Sequence, residues 1–230
     1  MSDDFPTYRG EMEYYCLGCG RRYPSDSLLY TCPECGDVLL LENKKFGELK
    51  KKSGQYWRDL FDSRASTRRG VFRYYELLAP IFDEEDIIYL GEGLTPIIEA
   101  SDFMKEKVGI PFAFKNDGQN PSASFKDRGM ACAFSYLKWL CRHHDWDEVI
   151  TVCASTGDTS AAAALYASYI GAPLKSVVLL PHGKVTPQQL SQPLGSGATV
   201  LELPGVFDDC MKVVEILAEK YRVALLNSKN

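Results

Sequence analysis

The chain has 230 residues, 45% of them apolar and 25% charged, with a formal net charge of -5, so it can bury a core and has the length for more than one. The negative balance offers no broad attraction to phosphate backbones, and no apolar run is long enough to cross a bilayer, which excludes nucleic acid and membrane as expected partners. The opening MSDDFPTYRG lacks the basic, apolar, small-residue order of a secretory signal and is too acidic for an organelle transit sequence, so the cytoplasm is the expected location.

Four of the eight cysteines form two tight pairs, Cys16 with Cys19 and Cys32 with Cys35. A Cys-x-x-Cys turn closed by glycine lets backbone amides point at thiolate sulfurs, and two such knuckles supply four ligands for tetrahedral zinc. The twelve residues between the knuckles suffice for a short hairpin. Disulfides or a redox Cys-x-x-Cys are the competing readings, and paired knuckles in a cytoplasmic chain favour structural zinc over both. Residues 1–45 are therefore read as a zinc ribbon held together by its metal. Residues 1 to 50 carry six Lys or Arg against nine Asp or Glu, the wrong balance for gripping nucleic acid, so docking or stiffening is its expected role. The single cysteines Cys132, Cys141, Cys153 and Cys210 read as buried small hydrophobes.

Residues 46–90 read as a linker and arm. The charged ENKKFGELKKKSG is a linker or exposed helix, and the aromatic and arginine-rich stretch after it holds a helix that Pro80 closes. LGEGLTPIIEA follows, a glycine-punctuated turn leading into apolar residues.

NPSASFKDRG, Asn120 to Gly129, then places a lysine in the first turn of a helix, where the dipole disfavours a cation. Ser124 and Asp127 have capping-box spacing, and Met130, Phe134, Leu137 and Cys141 form the apolar stripe of the helix that follows. That position, with any burial, lowers an ammonium's proton affinity and favours a nucleophilic amine that can condense with an aldehyde or act as a general base. An exposed lysine at a helix end is the plainer reading. Position alone does not decide between them.

From Val149 onward four apolar runs, VITVC, SVVLL, TVLEL and VALL, recur about every 25 residues without sequence repetition, as strand, helix and strand units require. Their continuity in Val, Leu and Ile predicts parallel strands buried on both faces. Between them lie an alanine-packed helix over Thr159 to Tyr169 and a helix with Phe207, Met211, Val214 and Leu217 on one face. An open, right-handed parallel α/β sheet with flanking helices is expected. The turn after the first run, ASTGDTSAA, sets Ser155, Thr156, Asp158 and Thr159 around Gly157 at a helix N-terminus. This suits a carboxylate or phosphate, although simple capping by Asp158 or Thr156 is the alternative.

Taken together these segments resemble a known family. NPSASFKDRG is similar to the Asn-Pro-Thr-Gly-Ser-Phe-Lys-Asp-Arg-Gly motif of the fold-type-II pyridoxal-phosphate enzymes, and ASTGDTSAA to their substrate-carboxylate loop. Within that group GVFRYYELL, LGEGLTP, LLPHGKVTPQQLSQPLGSGATVLEL and LLNSKN most resemble the threonine synthase family, whose likeness covers most of residues 70 to 230. The resemblance implies that Lys126 holds pyridoxal phosphate and shuttles protons, that Asp158, asparagine in many members, lies against the cofactor, and that Ser155, Thr156 and Thr159 hold the substrate carboxylate. Ser122-Ala123 replaces Thr-Gly of the usual motif with a less flexible backbone.

The implied substrate is O-phosphohomoserine, converted with water to threonine and phosphate, and Lys115, Asn120, Ser124, Arg128 and Lys184 are candidates to hold its phosphate. On the same basis residues 91–146 begin the large cofactor domain, 147–226 form the small α/β domain, and 227–230 start the return to the large one. The family's loop for the cofactor phosphate follows this return, so the chain is expected to be an N-terminal piece of an incomplete fold with little activity alone, and the family admits a homodimer of the full-length enzyme. Another fold-type-II enzyme, a serine or threonine dehydratase or an O-phosphoserine-using synthase, and a non-catalytic zinc-ribbon adaptor are the alternatives.

Overall fold

The computed structural model describes residues 5–64, 70–155 and 157–227. Near the N-terminus β1 (Met12–Cys16) pairs antiparallel with β2 (Arg22–Pro24) on one side and β3 (Leu39–Asn43) on the other. Tyr14 stands opposite Tyr23 and Leu41 in this register. The charged stretch after it forms α1 (Phe46–Leu49) and α2 (Gly54–Ser63), the latter capped by Ser53, whose hydroxyl accepts the Tyr56 amide at 3.1 Å.

The aromatic arm turns through a 3-10 segment over Gly70–Tyr74 into α3 (Tyr75–Leu78), which ends before Pro80 as its sequence predicts. Its aromatics lack helical periodicity because they enter the core singly. Phe72, Tyr75 and Phe82 are all buried, with the Phe72 and Phe82 rings 6.1 Å apart edge to face. Behind them Arg64 forks onto the buried Glu76 carboxylate. Beyond the arm, β4 (Ile97–Glu99) and β5 (Ala113–Lys115) pair antiparallel around α4 (Asp102–Val108).

The longest helix, α5 (Lys126–His143), buries Met130, Phe134, Leu137 and Cys141, the stripe read from the sequence. Then come β6 (Val149–Ala154), α6 (Asp158–Ile170), β7 (Leu174–Pro181), α7 (Pro187–Gly195), β8 (Thr199–Leu203), α8 (Phe207–Lys220) and β9 (Val223–Leu225). The strands form one parallel sheet in the order β8-β7-β6-β9. Val149 and Cys153 of β6 enter the cluster shared with α5 and α6, and Val152 and Ala154 enter one with α8, so this strand is buried on both faces.

Ala162 and Ala164, fully buried, let α6 lie close to the sheet, and its Tyr166 ring stacks on Phe134 of α5 at 6.1 Å. The expectation of burial on both faces fails at β8. This strand pairs on one side only and leaves Leu201 43% exposed, as an edge strand does. The four single cysteines behave as predicted, with Cys141, Cys153 and Cys210 buried and Cys132 half-buried. Burial pushes the Cys153 thiol up to about 12.

Candidate functional site

Two sites are brought together by the fold. In the first, the Cys16 and Cys35 sulfurs lie 3.4 Å apart and those of Cys19 and Cys32 3.6 Å apart, with all four within 4.8 Å of one another. A tetrahedron of sulfurs at about 2.3 Å from a zinc ion has edges of about 3.8 Å, so the donor set fits the ion. The Cys19 amide points at the Cys16 sulfur at 3.4 Å, as the knuckle geometry requires. Burial works against a charged Cys32, but the Tyr23 hydroxyl at 3.0 Å and the Cys35 and Glu34 amides outweigh it and bring the thiol down to about 6. At Cys19 and Cys35 the backbone amides are outweighed by the neighbouring sulfurs, which push both thiols up instead, and a bound metal ion would take all four as thiolates.

The second site is a cavity of about 460 Å³ at the head of α5. Lys126, the first residue of that helix, is half-buried and lines it. Thr159, in the first turn of α6, and Asn227, just past β9, line it as well. Asn227 is seated by its side-chain oxygen, which accepts the Ala154 amide at 3.0 Å and so ties the chain after β9 to the end of β6. Leu28 and Tyr30 from the N-terminal module, Met130 and Tyr136 from α5, and Leu226 close the walls. Lys126 is the only charged side chain among the described lining residues.

The turn before α5 differs from the predicted capping box. Phe125 already has helical geometry at the N-cap, and the Ser124 hydroxyl accepts the Lys126 amide at 3.3 Å rather than that of Asp127. The Asp127 carboxylate turns back and accepts the Ser122 amide at 2.8 Å. A buried backbone donor four residues before the helix needs a partner more than the first turn does. Ala123, between them, takes a left-handed φ of 62°. At α6 the N-cap is Gly157, not Asp158 or Thr156; Asp158 is the first helical residue and is exposed. The Gly157 amide is taken by the Ser155 hydroxyl at 3.3 Å, and the N-cap glycine offers no side chain of its own to the helix. Its first-turn amides lie beside Asp158 and the hydroxyls of Ser155, Thr159 and Ser160. Thr156 lies outside the described residues.

None of the five residues expected around a substrate phosphate lines the lysine cavity. Asn120 and Ser124 are buried and spent inside the fold, Asn120 accepting the Gly93 amide at 2.9 Å and donating to the Asp117 carbonyl at 2.8 Å. Lys184 is exposed on the turn after β7. Lys115 and Arg128 lie in a separate cavity together with Arg64, which carries no motif, and Arg73, which lies in GVFRYYELL but is not singled out by it. Beneath the lysine turn, burial raises the carboxyls of both Glu92 and Asp127 above their ordinary range. Glu92 accepts from the Leu90 amide and the Tyr166 hydroxyl, each at 3.0 Å.

A parallel α/β sheet, a helix led by a lysine that lines a cavity, and the first turn of a second helix on the same cavity are the features that relate this fold to a class of cofactor-dependent enzyme. The family of pyridoxal-phosphate dependent enzymes matches residues 88–230, and the chain belongs to it. Its similarity runs to threonine synthases in particular. That of Methanocaldococcus jannaschii is 38% identical over 216 residues, which cover 94% of this chain and 49% of the relative. That of Synechocystis is 41% identical over 170 residues, covering 73% and 42%. The solved structure of a PLP-bound threonine synthase from Brucella melitensis matches with a TM-score of 0.58 at 18% identity, over 95% of this chain and 48% of that one, and shows the shared fold. The chain thus spans about half the length of the curated relatives it matches.

Proposed function

We propose that the chain contributes the lysine half of a threonine synthase, which converts O-phosphohomoserine and water to threonine and phosphate. The observation that carries this reading is that Lys126, Thr159 and Asn227, from three elements far apart in sequence, line one cavity. The residues fit pyridoxal phosphate. One amine meets the carbonyl, apolar walls suit the ring, and the volume lies in the range of small-molecule sites.

When bound, the cofactor supplies an electron sink that spreads the negative charge left at a substrate carbon. The Lys126 amine would hold the cofactor by its carbonyl carbon and, once the substrate amine has taken its place there, would be free to take and return protons at the substrate α and β carbons. Ser155, Thr156 and Thr159, with the amides that open α6, receive the substrate carboxylate. Asp158, on the same turn, is assigned to the cofactor side of the site. The apolar side chains of Leu28, Met130 and Leu226 keep bulk water from the reacting carbons. Cys16, Cys19, Cys32 and Cys35 hold a structural zinc ion, and the cytoplasm, which keeps thiols reduced, is the proposed compartment.

The test is phosphate release from O-phosphohomoserine by the whole protein loaded with pyridoxal phosphate, with threonine as co-product. Lys126→Ala is expected to lower the rate about 10³-fold or more, and borohydride treatment to leave the cofactor attached to the peptide that contains Lys126. Undiminished turnover by Lys126→Ala removes the reading. Attachment at Lys126 without phosphate release points to another enzyme of the same family, such as a dehydratase. Because the relatives are about twice as long, these 230 residues by themselves are expected to turn over little.

A further inference from the structure

The second cavity, of about 450 Å³, lies on the other side of α5. Arg128 follows Lys126 by two positions, which rotates its side chain by about 200° around the helix. Among the described residues no lining residue is common to the two cavities. Four cations meet here, Arg64, Arg73, Lys115 and Arg128.

Three of these cations are held in place by carboxylates. Arg128 forks onto Asp117 at 3.0 and 2.8 Å, Arg64 onto Glu76, and Arg73 reaches Asp62 at 3.1 Å. Arg73 also donates through Nε to the Phe61 carbonyl at 2.9 Å. The Lys115 ammonium donates to the neutral Thr95 carbonyl at 3.0 Å, and among the described residues no carboxylate comes within ion-pair range of it. Among the described residues Lys115 is the one cation of the four without a direct ion pair, although Asp117 acts on it electrostatically as well as on Arg128. Two glycines pack together on the cavity wall, with the buried Glu92 carboxyl against Gly70. Gly70 and Gly93 lie so close that a Cβ on Gly93 would stand 3.1 Å from the Gly70 Cα. Exposed Tyr74 and Leu94 form an apolar rim.

We propose that this cavity is a second binding site, for a phosphate group, and that its usual occupant is the phosphate monoester of a small metabolite. The Lys115 ammonium, with the guanidinium N–H groups not spent on carboxylates, suits a tetrahedral oxyanion. The volume exceeds what a phosphate ion fills, and the apolar rim offers contact to an organic body. The site does not depend on the reaction proposed for the Lys126 cavity.

Isothermal titration of the chain with inorganic phosphate, and separately with glycerol 3-phosphate, tests it. One saturable site is expected, weakened about tenfold by Lys115→Ala and by Lys115→Gln and unchanged by Lys126→Ala. Tighter binding of the ester identifies a phosphorylated metabolite as the occupant, and equal binding identifies free phosphate. The proposal is overturned if neither probe saturates by about 10 mM, if both Lys115 variants bind like the parent, or if Lys126→Ala abolishes the heat. This last result would place the ligand in the other cavity. Because cofactor attachment at Lys126 is read separately, failure here leaves the enzymatic reading standing.

Discussion

Ala123 is a residue whose backbone does not suit its side chain. Its φ of 62° lies in the left-handed region, where an L side chain meets the following carbonyl at a cost of about 1–2 kcal/mol. Glycine carries no such penalty but loses more freedom on folding, so Ala123→Gly is expected to raise stability by about 0.5–1 kcal/mol. The measurement is a urea midpoint that moves up with an unchanged slope. Glu92 is the second such residue. Burial raises its carboxyl above the ordinary 4.5, so the folded chain keeps a proton that the unfolded chain has released. Stability is then greatest below the unfolded value and falls as pH rises toward the folded one. Glu92→Gln removes this titration while keeping the acceptor that meets Leu90 and Tyr166. Its melting temperature relative to the parent is expected to climb as pH rises above the ordinary carboxyl value of 4.5; a flat difference contradicts the assignment.

At the scale of elements, the strand β9 shows how the N-terminal module takes part in the sheet. β9 pairs with β6 on one side only. On its other side the Tyr30 hydroxyl donates to the Val223 carbonyl and accepts the Leu225 amide at 3.0 Å, so one side chain satisfies two groups of an open edge. Tyr30→Phe should cost about 1–2 kcal/mol, as expected for a partly buried pair left without its partner. Amide exchange at Leu225 is the specific readout and should speed up, while that at Val178 in the centre of the sheet should not. The helices were more legible than their ends. The α5 stripe follows directly from three-four spacing, but Ser124 and Asp127 satisfy donors in their own turn instead of capping one another, a choice that spacing cannot express.

Over the whole molecule, the ribbon and the lysine helix are one packed unit. The Tyr14 and Tyr136 hydroxyls meet at 2.7 Å, Tyr136 also donates to the Ser25 carbonyl at 2.7 Å, and a His144 ring nitrogen lies 2.7 Å from the Asp26 carbonyl. Tyr14, Leu28, Tyr30 and Leu39 of the ribbon side line the Lys126 cavity directly. Removing the proposed zinc with a chelator is therefore expected to lower exchange protection in β1 to β3 about 100-fold or more, and to loosen the cavity wall, while β6 and β7 stay protected. Unchanged exchange in β1 to β3 would show that the four sulfurs hold no ion that matters to the fold.

The amino-acid order alone determined the knuckles, the α5 stripe, the lysine at its head and the succession of strands and helices, because each is written in spacings of a few residues. Tertiary structure decided what faces what. Tyr14 and Tyr136 are 122 positions apart, and Arg64 and Arg128 carry no pattern that relates them. Lys115 and Arg128 have the right chemistry for a phosphate, yet packing turns them to the side of α5 away from Lys126. Charge type is a property of the residue, but which charges share a cavity is set by the angle at which a helix is docked, and long-range contacts alone fix that angle.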